Sequence, residues 1–193
     1  MAMPLLAQQP TLPRELRQDE LSALLRAASG VDRAAVLMLL SGVSPDELAG
    51  LRWSDVDLAQ HRVRIGGEPA REIGLSEPVH RVLAARPSPA GTEPLFGAPG
   101  RAGARDAFDA QILCAAHDAG LESAAEVTTE CLRHTYIAFL VRQGIRFADL
   151  TELVGYLPRD VLARYAALAP GGSRTPREAI DTVLPAVRQI GSG

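Results

Sequence analysis

Glu130-Cys131-Leu132-Arg133-His134-Thr135-Tyr136 is the stretch whose reading decides the fold. It opens a helix that starts after Thr128 and is expected to run to about Gln143, where Gly144 ends it. Leu132, Tyr136, Phe139 and Leu140 give that helix a core side. Arg133 and His134 place a guanidinium and an imidazole near its start. Downstream, the step Gly155-Tyr156 precedes Tyr165, a phenol on a short helix expected over about Arg159 to Leu168. These three groups can hold and attack a phosphodiester. Each also has a structural use. Tyr165 lies four residues after Val161 and three before Leu168, so it fits a core tyrosine. Arg133 can pair with a carboxylate such as Glu130, and His134 can bond to backbone.

Working outward toward the N-terminus, a first helix is expected over about Gln18 to Ala28. Leu21, Leu24, Leu25 and Ala28 share one face, and Gly30 should end the helix. A second, about Asp32 to Ser41, is apolar nearly all round and should be central. Ser44-Pro45-Asp46-Glu47 combines an N-cap serine, a proline at the first helical position and a glutamate three residues on, a capping box opening a third helix. His61-Arg62-Val63-Arg64-Ile65 and Arg71-Glu72-Ile73-Gly74-Leu75 read as a hairpin around Gly66-Gly67-Glu68-Pro69, with a third strand near Val56 to Leu58. A fourth helix is expected over about Glu77 to Ala85. The Pro/Gly-rich run Pro87 to Gly103 should be a surface loop, and a fifth helix should cover about Ala104 to Ala119. Another is expected over about Phe147 to Val154. After a linker, Ala169 to Arg174, Thr175-Pro176-Arg177-Glu178 reads as a second capping box. The helix it opens carries Ile180, Val183, Leu184 and Val187, with a kink at Pro185. The fold class is mainly α with one small antiparallel β-sheet (α+β). Residues 1–16 are expected as a tail, 17–168 as one domain, and 169–193 as a linker and C-terminal helix.

Composition narrows the chemistry. The chain has 193 residues and a net charge of −3. It contains no lysine, so arginine supplies every basic side chain other than histidine. That removes a common general acid and is unlike a protein that grips long DNA through many cations. Cys114 and Cys131 make neither a disulfide framework nor a metal cluster, and both read as buried thiols. No metal site and no cofactor are expected. No apolar run approaches the ~18 residues of a membrane span, and the N-terminus does not read as a secretory signal. A cytoplasmic protein with no membrane partner is the expectation.

The order of these elements, with these words in them, resembles the catalytic domain of the tyrosine recombinase (phage integrase) family. Three stretches carry the resemblance. They are Leu39 to Leu48 continuing through Leu51 to Asp57, Cys131 to Tyr136, and Glu152-Leu153-Val154-Gly155-Tyr156 followed nine residues later by Tyr165. The resemblance implies attack of a tyrosine hydroxyl on a DNA phosphodiester, giving a 3′-phosphotyrosyl intermediate. In it, arginines and histidines neutralise the phosphate oxygens and a hairpin lysine protonates the leaving oxygen.

Carried over position by position, the resemblance places Tyr165 at the nucleophile, Arg133 at the second arginine and His134 at the histidine beside it. Ser44 stands where the first arginine belongs, Glu130 where histidine or lysine is usual, and Tyr156 where histidine or tryptophan is usual. The hairpin turn offers no lysine. Losing one donor to a developing charge costs ~10²–10³ in rate, and a carboxylate at position 130 repels a phosphodiester. These degenerate positions imply impaired chemistry, a pseudoenzyme on a recombinase scaffold. Ser44 and Glu130 both suit helix starts, as an N-cap and as a first-turn acid. Arg52, Arg62, Arg64 and Arg71 are candidate contacts to the DNA backbone, with Arg62, Arg64 and Arg71 expected on one face of the hairpin.

The implied partner is double-stranded DNA, held weakly because the family's N-terminal clamp domain has no counterpart in the chain. The C-terminal helix resembles the tail by which family members dock on a neighbouring protomer. It implies a homo-oligomer or a partner recombinase, provided its apolar stripe is not covered in cis. Two other readings stand beside the impaired DNA-binding domain: an active site-specific recombinase using Tyr165, and a protein-interaction module that has left DNA behind.

Overall fold

The computed structural model describes residues 12–67, 70–86, 91–97 and 103–191. Within them the helices are α1 (Gln18–Ala27), α2 (Gly30–Leu39), α3 (Pro45–Gly50), α4 (Glu77–Ala84), α5 (Ala104–Asp118), α6 (Thr129–Arg142), α7 (Phe147–Val154), α8 (Arg159–Ala166) and α9 (Pro185–Gly191). A three-stranded antiparallel sheet, β1 (Val56–Asp57), β2 (Arg62–Ile65) and β3 (Arg71–Gly74), lies between α3 and α4 in order β1-β2-β3. Glu68 and Pro69 of the hairpin turn, and most of the Pro/Gly-rich run, lie outside the described residues. Among the described residues no helix is long and apolar enough to cross a membrane.

α2 is the hub. Every residue from Ala34 to Leu40 is buried, and the helix packs against α3, α4, α5 and α6. An all-apolar helix can be stable only where neighbours cover every side. Gly30 begins this helix, at φ +49°, and does not end the first one. α1 stops at Ala27 because Ala28 is already extended. After α2 the chain reverses at Gly42, φ +90°. A Cβ there would lie 2.8 Å from Val154 Cγ1 and 3.0 Å from Tyr136 Cε1, so both the backbone and the packing require glycine.

The first capping box forms as read. Ser44 Oγ accepts from the Glu47 amide (3.3 Å) and Glu47 Oε2 accepts from the Ser44 amide (2.8 Å). The second does not open a helix. Thr175 pairs with the loop after α6, donating to Gly144 O (2.7 Å) and accepting from Arg146 N (3.0 Å), while Arg177 N donates to Asp149 Oδ2 (2.9 Å). With that backbone committed, Arg177–Ala179 makes a single 3₁₀ turn. α9 begins only at Pro185, whose missing N–H costs nothing at a helix's first position. Pro185 therefore starts a helix and does not kink one.

Three further expectations are corrected. Cys114 is exposed, and only Cys131 is buried. The described part of the Pro/Gly-rich run, residues 91–97, is not a free surface loop. Leu95 and Phe96 are buried, and the segment is stitched to the end of α3 by Leu95 N to Leu51 O (2.8 Å) and Trp53 N to Glu93 O (3.1 Å). Two apolar side chains in that run are enough to pull it onto the core. At the N-terminal end, the chain is already packed from Arg14. Arg14 pairs with Glu20 (3.1 Å) and Glu126 (2.9 Å), and Leu16 is buried with its amide on Thr135 Oγ1 (3.0 Å). The apolar stripe of the C-terminal segment finds its partner in cis. Leu184, Ala186 and Val187 are buried against α1 and α4, and Tyr136 Oη donates to Thr182 O (3.1 Å).

Gly42→Ala should destabilise the chain by about 2–4 kcal/mol, the combined cost of a left-handed alanine and an overpacked contact. Urea unfolding measures it, and an unchanged midpoint would contradict the packing described for this turn.

Candidate active site

A cleft of about 750 Å³ opens between the α3 capping box, the hairpin turn, the starts of α5 and α6, and the segment after α7. Ser44, Gly66, Gly67, Glu130, Arg133 and Tyr156 all line it. The positions that the resemblance brought together from three separate stretches thus converge in space, although Tyr165 and His134 are not among the lining residues.

Arg133 projects from the first turns of α6, below Thr128, whose Oγ1 caps the helix by accepting from Cys131 N (3.2 Å). Its guanidinium donates through Nη2 to Val154 O (2.8 Å) and through Nε to Gly42 O (3.4 Å). Nη1 has no hydrogen-bond partner among the described residues, and the residue lines the cleft. Burial pushes the Arg133 pKa down, against the opposing pull of Glu130 and Glu47. An arginine so placed stays charged, since guanidinium is not deprotonated in proteins.

The other cationic side chains of the cleft are already engaged. Arg71 makes a two-pronged pair with Glu47 (2.5 and 2.8 Å) and donates to Leu153 O (3.1 Å). The register explains this. Ile65 faces Arg71 across the hairpin, while Arg64 faces Glu72 and Arg62 faces Gly74. Arg71 therefore shares the inward face with Ile65, and Arg62 and Arg64 are exposed on the other. The expectation of one arginine face on the hairpin is corrected by this one-residue alternation. Burial pushes the Glu47 carboxyl up, but hydrogen bonds from Arg71 and the Ser44 amide outweigh it and hold the pKa below the usual range. Gly155, φ +80°, lets this pair sit against the end of α7, since a Cβ there would lie 2.7 Å from Arg71 Nη1.

Arg105 is the cleft residue that sequence reasoning missed. It lines the cleft from the start of α5 and pairs with Glu130 (3.5 Å) and Asp109 (3.9 Å). It lies outside the three family-like stretches, just after the glycine-rich run, so only the tertiary fold brings it in. Arg52 points elsewhere. Its side chain donates to the Thr92 carbonyl and fastens residues 91–97. Arg62 pairs on the surface with Glu72 (3.0 Å). The cleft thus sets Arg71, Arg105 and Arg133 against Asp46, Glu47, Asp55 and Glu130. This balance is poor for a phosphodiester. Tyr156 is 74% exposed at its edge and offers a ring rather than a cation.

Tyr165 is only 3% exposed, and its Oη lies 2.9 Å from His134 Nδ1, with the rings 5.4 Å apart. Burial pushes the His134 pKa down, so the ring is neutral at pH 7. Burial also raises the Tyr165 phenol well above its ordinary value, more strongly than Arg133 lowers it. A phenol in this setting is a weak nucleophile, because the phenolate that attacks phosphorus is disfavoured.

The comparisons with known proteins bear on the family and the fold. A family model described as "Phage integrase family" matches residues 14–171. Among solved structures, the chain is similar to the XerA recombinase (22% identity, TM-score 0.67, covering 94% of this chain and 65% of that one). It is similar to an integrase from mycobacterium phage Brujita (17%, 0.58, 95% and 65%) and to the Tn1549 transposon integrase solved with transposon right end DNA (16%, 0.61, 86% and 64%). The chain therefore spans just under two thirds of the length of these structures. No curated protein matches the sequence.

The Tyr165 phenol should ionise late. Burial favours its protonated form, so the folded chain holds this proton more tightly than the unfolded chain. The contribution to stability is complete below pH ~10 and is lost as pH rises through the folded value. Phenolate absorbance of the wild type minus that of Tyr165→Phe should rise only above pH ~10. A Tyr165 signal below that would contradict the seating against His134.

Proposed function

Because this chain belongs to the phage integrase family of tyrosine recombinases, we propose that it acts on duplex DNA as a recombinase-type domain whose strand-cleaving chemistry is impaired. The observation that carries this reading is the division of its chemical groups. The phosphate-facing residues meet in one open cleft around Arg133, while Tyr165 is buried against His134. A backbone phosphate placed in the cleft would accept from Arg133 Nη1 and draw Arg105 away from Glu130. It would meet Ser44 where a second fixed guanidinium would be needed, and Glu130 would oppose it. Binding without efficient cleavage follows from that inventory. Two cationic donors are missing, each worth ~10²–10³ in rate, and Arg105, held by Glu130 and Asp109, is too few to replace both.

The bound Tn1549 structures are a guide to partner class, and duplex DNA is the ligand we assign to this cleft. Affinity should be modest and strongly salt-dependent, because only a few phosphate contacts are on offer. A second reading, assembly with a neighbouring protomer through α9, draws on the same family. It would require Leu184, Ala186 and Val187 to leave α1 and α4, so we place it second.

Fluorescence anisotropy on a short labelled duplex across a salt series tests the first reading. Glu130→Gln should tighten binding several-fold by removing a repulsive charge and freeing Arg105, and Arg105→Ala should loosen it. No binding at low salt, or binding indifferent to both substitutions, would overturn the assignment of the cleft to phosphate.

A further inference from the structure

Away from the cleft, His61, Glu77 and His80 converge on one patch of surface. One ligating atom from each lies within 4.8 Å of the others. His61 sits in the turn between β1 and β2, while Glu77 and His80 lie three residues apart on α4 and so share a face of that helix. We propose that this patch is a binding site for a first-row divalent transition metal of the zinc class, joining the sheet to α4. Two imidazoles and one carboxylate are a donor set suited to zinc, nickel or copper(II), with water completing the shell.

Two features point beyond a chance cluster. The first is the backbone of His61. Its φ is +51°, a left-handed value shared among the described residues only with glycines. A side chain with a Cβ is uncommon there, and the strain of such a residue is a reason to look for a role. The conformation is fixed by two bonds, His61 N to Leu58 O (3.3 Å) and Leu75 N to His61 O (2.7 Å). It carries the imidazole over α4. The second is the aim of the three side chains. The rings of His61 and His80 stack 3.9 Å apart at 11°, and stacking alone accounts for two imidazoles. Glu77 adds a third donor, a carboxylate oxygen within 4.8 Å of a ring nitrogen of each.

The stacked rings do not yet point their nitrogens at one centre. Each nitrogen lone pair lies in its own ring plane, so capture of an ion requires one ring to tilt out of the stack. Donor atoms on a tetrahedral zinc lie about 3.3 Å apart, given bonds near 2.0–2.1 Å. His61 and Glu77 are exposed and His80 is half-buried, so small side-chain rotations can close that difference. Glu77 must also leave Arg81, a surface pair at 3.7 Å whose loss costs little. The bound ion would tie the start of β2 to α4. The other end of β2 leads into Gly66 and Gly67, which line the cleft. The proposal is independent of any DNA function.

The test uses the tag-free full chain, titrated with zinc chloride and, separately, nickel chloride. Isothermal titration calorimetry reads stoichiometry, and thermal unfolding reads the linked stabilisation. One ion should bind per chain, with a saturable rise in Tm of roughly 3–8 °C well above Kd. His61→Asn keeps a residue that tolerates the left-handed backbone. It should weaken binding at least tenfold, as should His80→Ala, with a smaller loss for Glu77→Gln. Cys114→Ser should change nothing. Absence of one-to-one binding to the wild type, or binding that survives the His61→Asn/His80→Ala double variant, would overturn the proposal.

Discussion

One guanidinium holds three parts of this fold together. Arg133, on α6, donates to the carbonyl of Gly42 at the turn after α2 and to the carbonyl of Val154 at the end of α7. Carbonyls at helix ends lack intrahelical partners, and burying them unpaired is costly. A charged donor serving two of them fixes the distance between α2, α6 and α7. Gly42 must then be glycine, because Val154 and Tyr136 close over it. The Arg71–Glu47 pair repeats the device one layer out. It locks the hairpin to α3 and donates to Leu153 at the same helix end.

These arginines show which cleft residues the scaffold itself depends on. Arg133 and Arg71 are tied into backbone carbonyls and a half-buried carboxylate, so their loss would be felt in folding. Ser44 and Glu130 carry no such weight. Ser44 caps α3, and Glu130 adds a favourable charge to the first turn of α6. Tyr156 is largely in solvent. The cleft therefore keeps its shape through residues the fold needs, and Arg71, Arg105 and Arg133 share it with Asp46, Glu47, Asp55 and Glu130. Tyr165 follows the same logic. It is seated against His134 among core side chains.

Much of this was legible in the sequence. Strong local signals were read correctly: the capping box at Ser44, the all-apolar α2, the helix after Thr128, the hairpin with its short third strand, and the order of the family-like stretches. What was missed depends on tertiary context. Thr175-Pro176-Arg177-Glu178 has the letters of a capping box, but its backbone is taken by the α6–α7 loop. Arg71 was placed on the wrong face because the turn's geometry, and so the register, is not written in the strand itself. Arg105 enters the cleft from a segment with no motif. His61 acquires its left-handed backbone only through Leu58 and Leu75.

The measurement that tests the central claim most directly is covalent capture on DNA. A nicked duplex that releases a short strand on cleavage would trap any phosphotyrosyl product, which gel mobility or mass spectrometry would detect, with Tyr165→Phe as control. The account predicts no Tyr165-dependent adduct under conditions where the duplex binds. An adduct that appears in the wild type and vanishes with Tyr165→Phe would contradict it. That result would mean that the buried phenol swings into the cleft and finds enough positive charge there to attack.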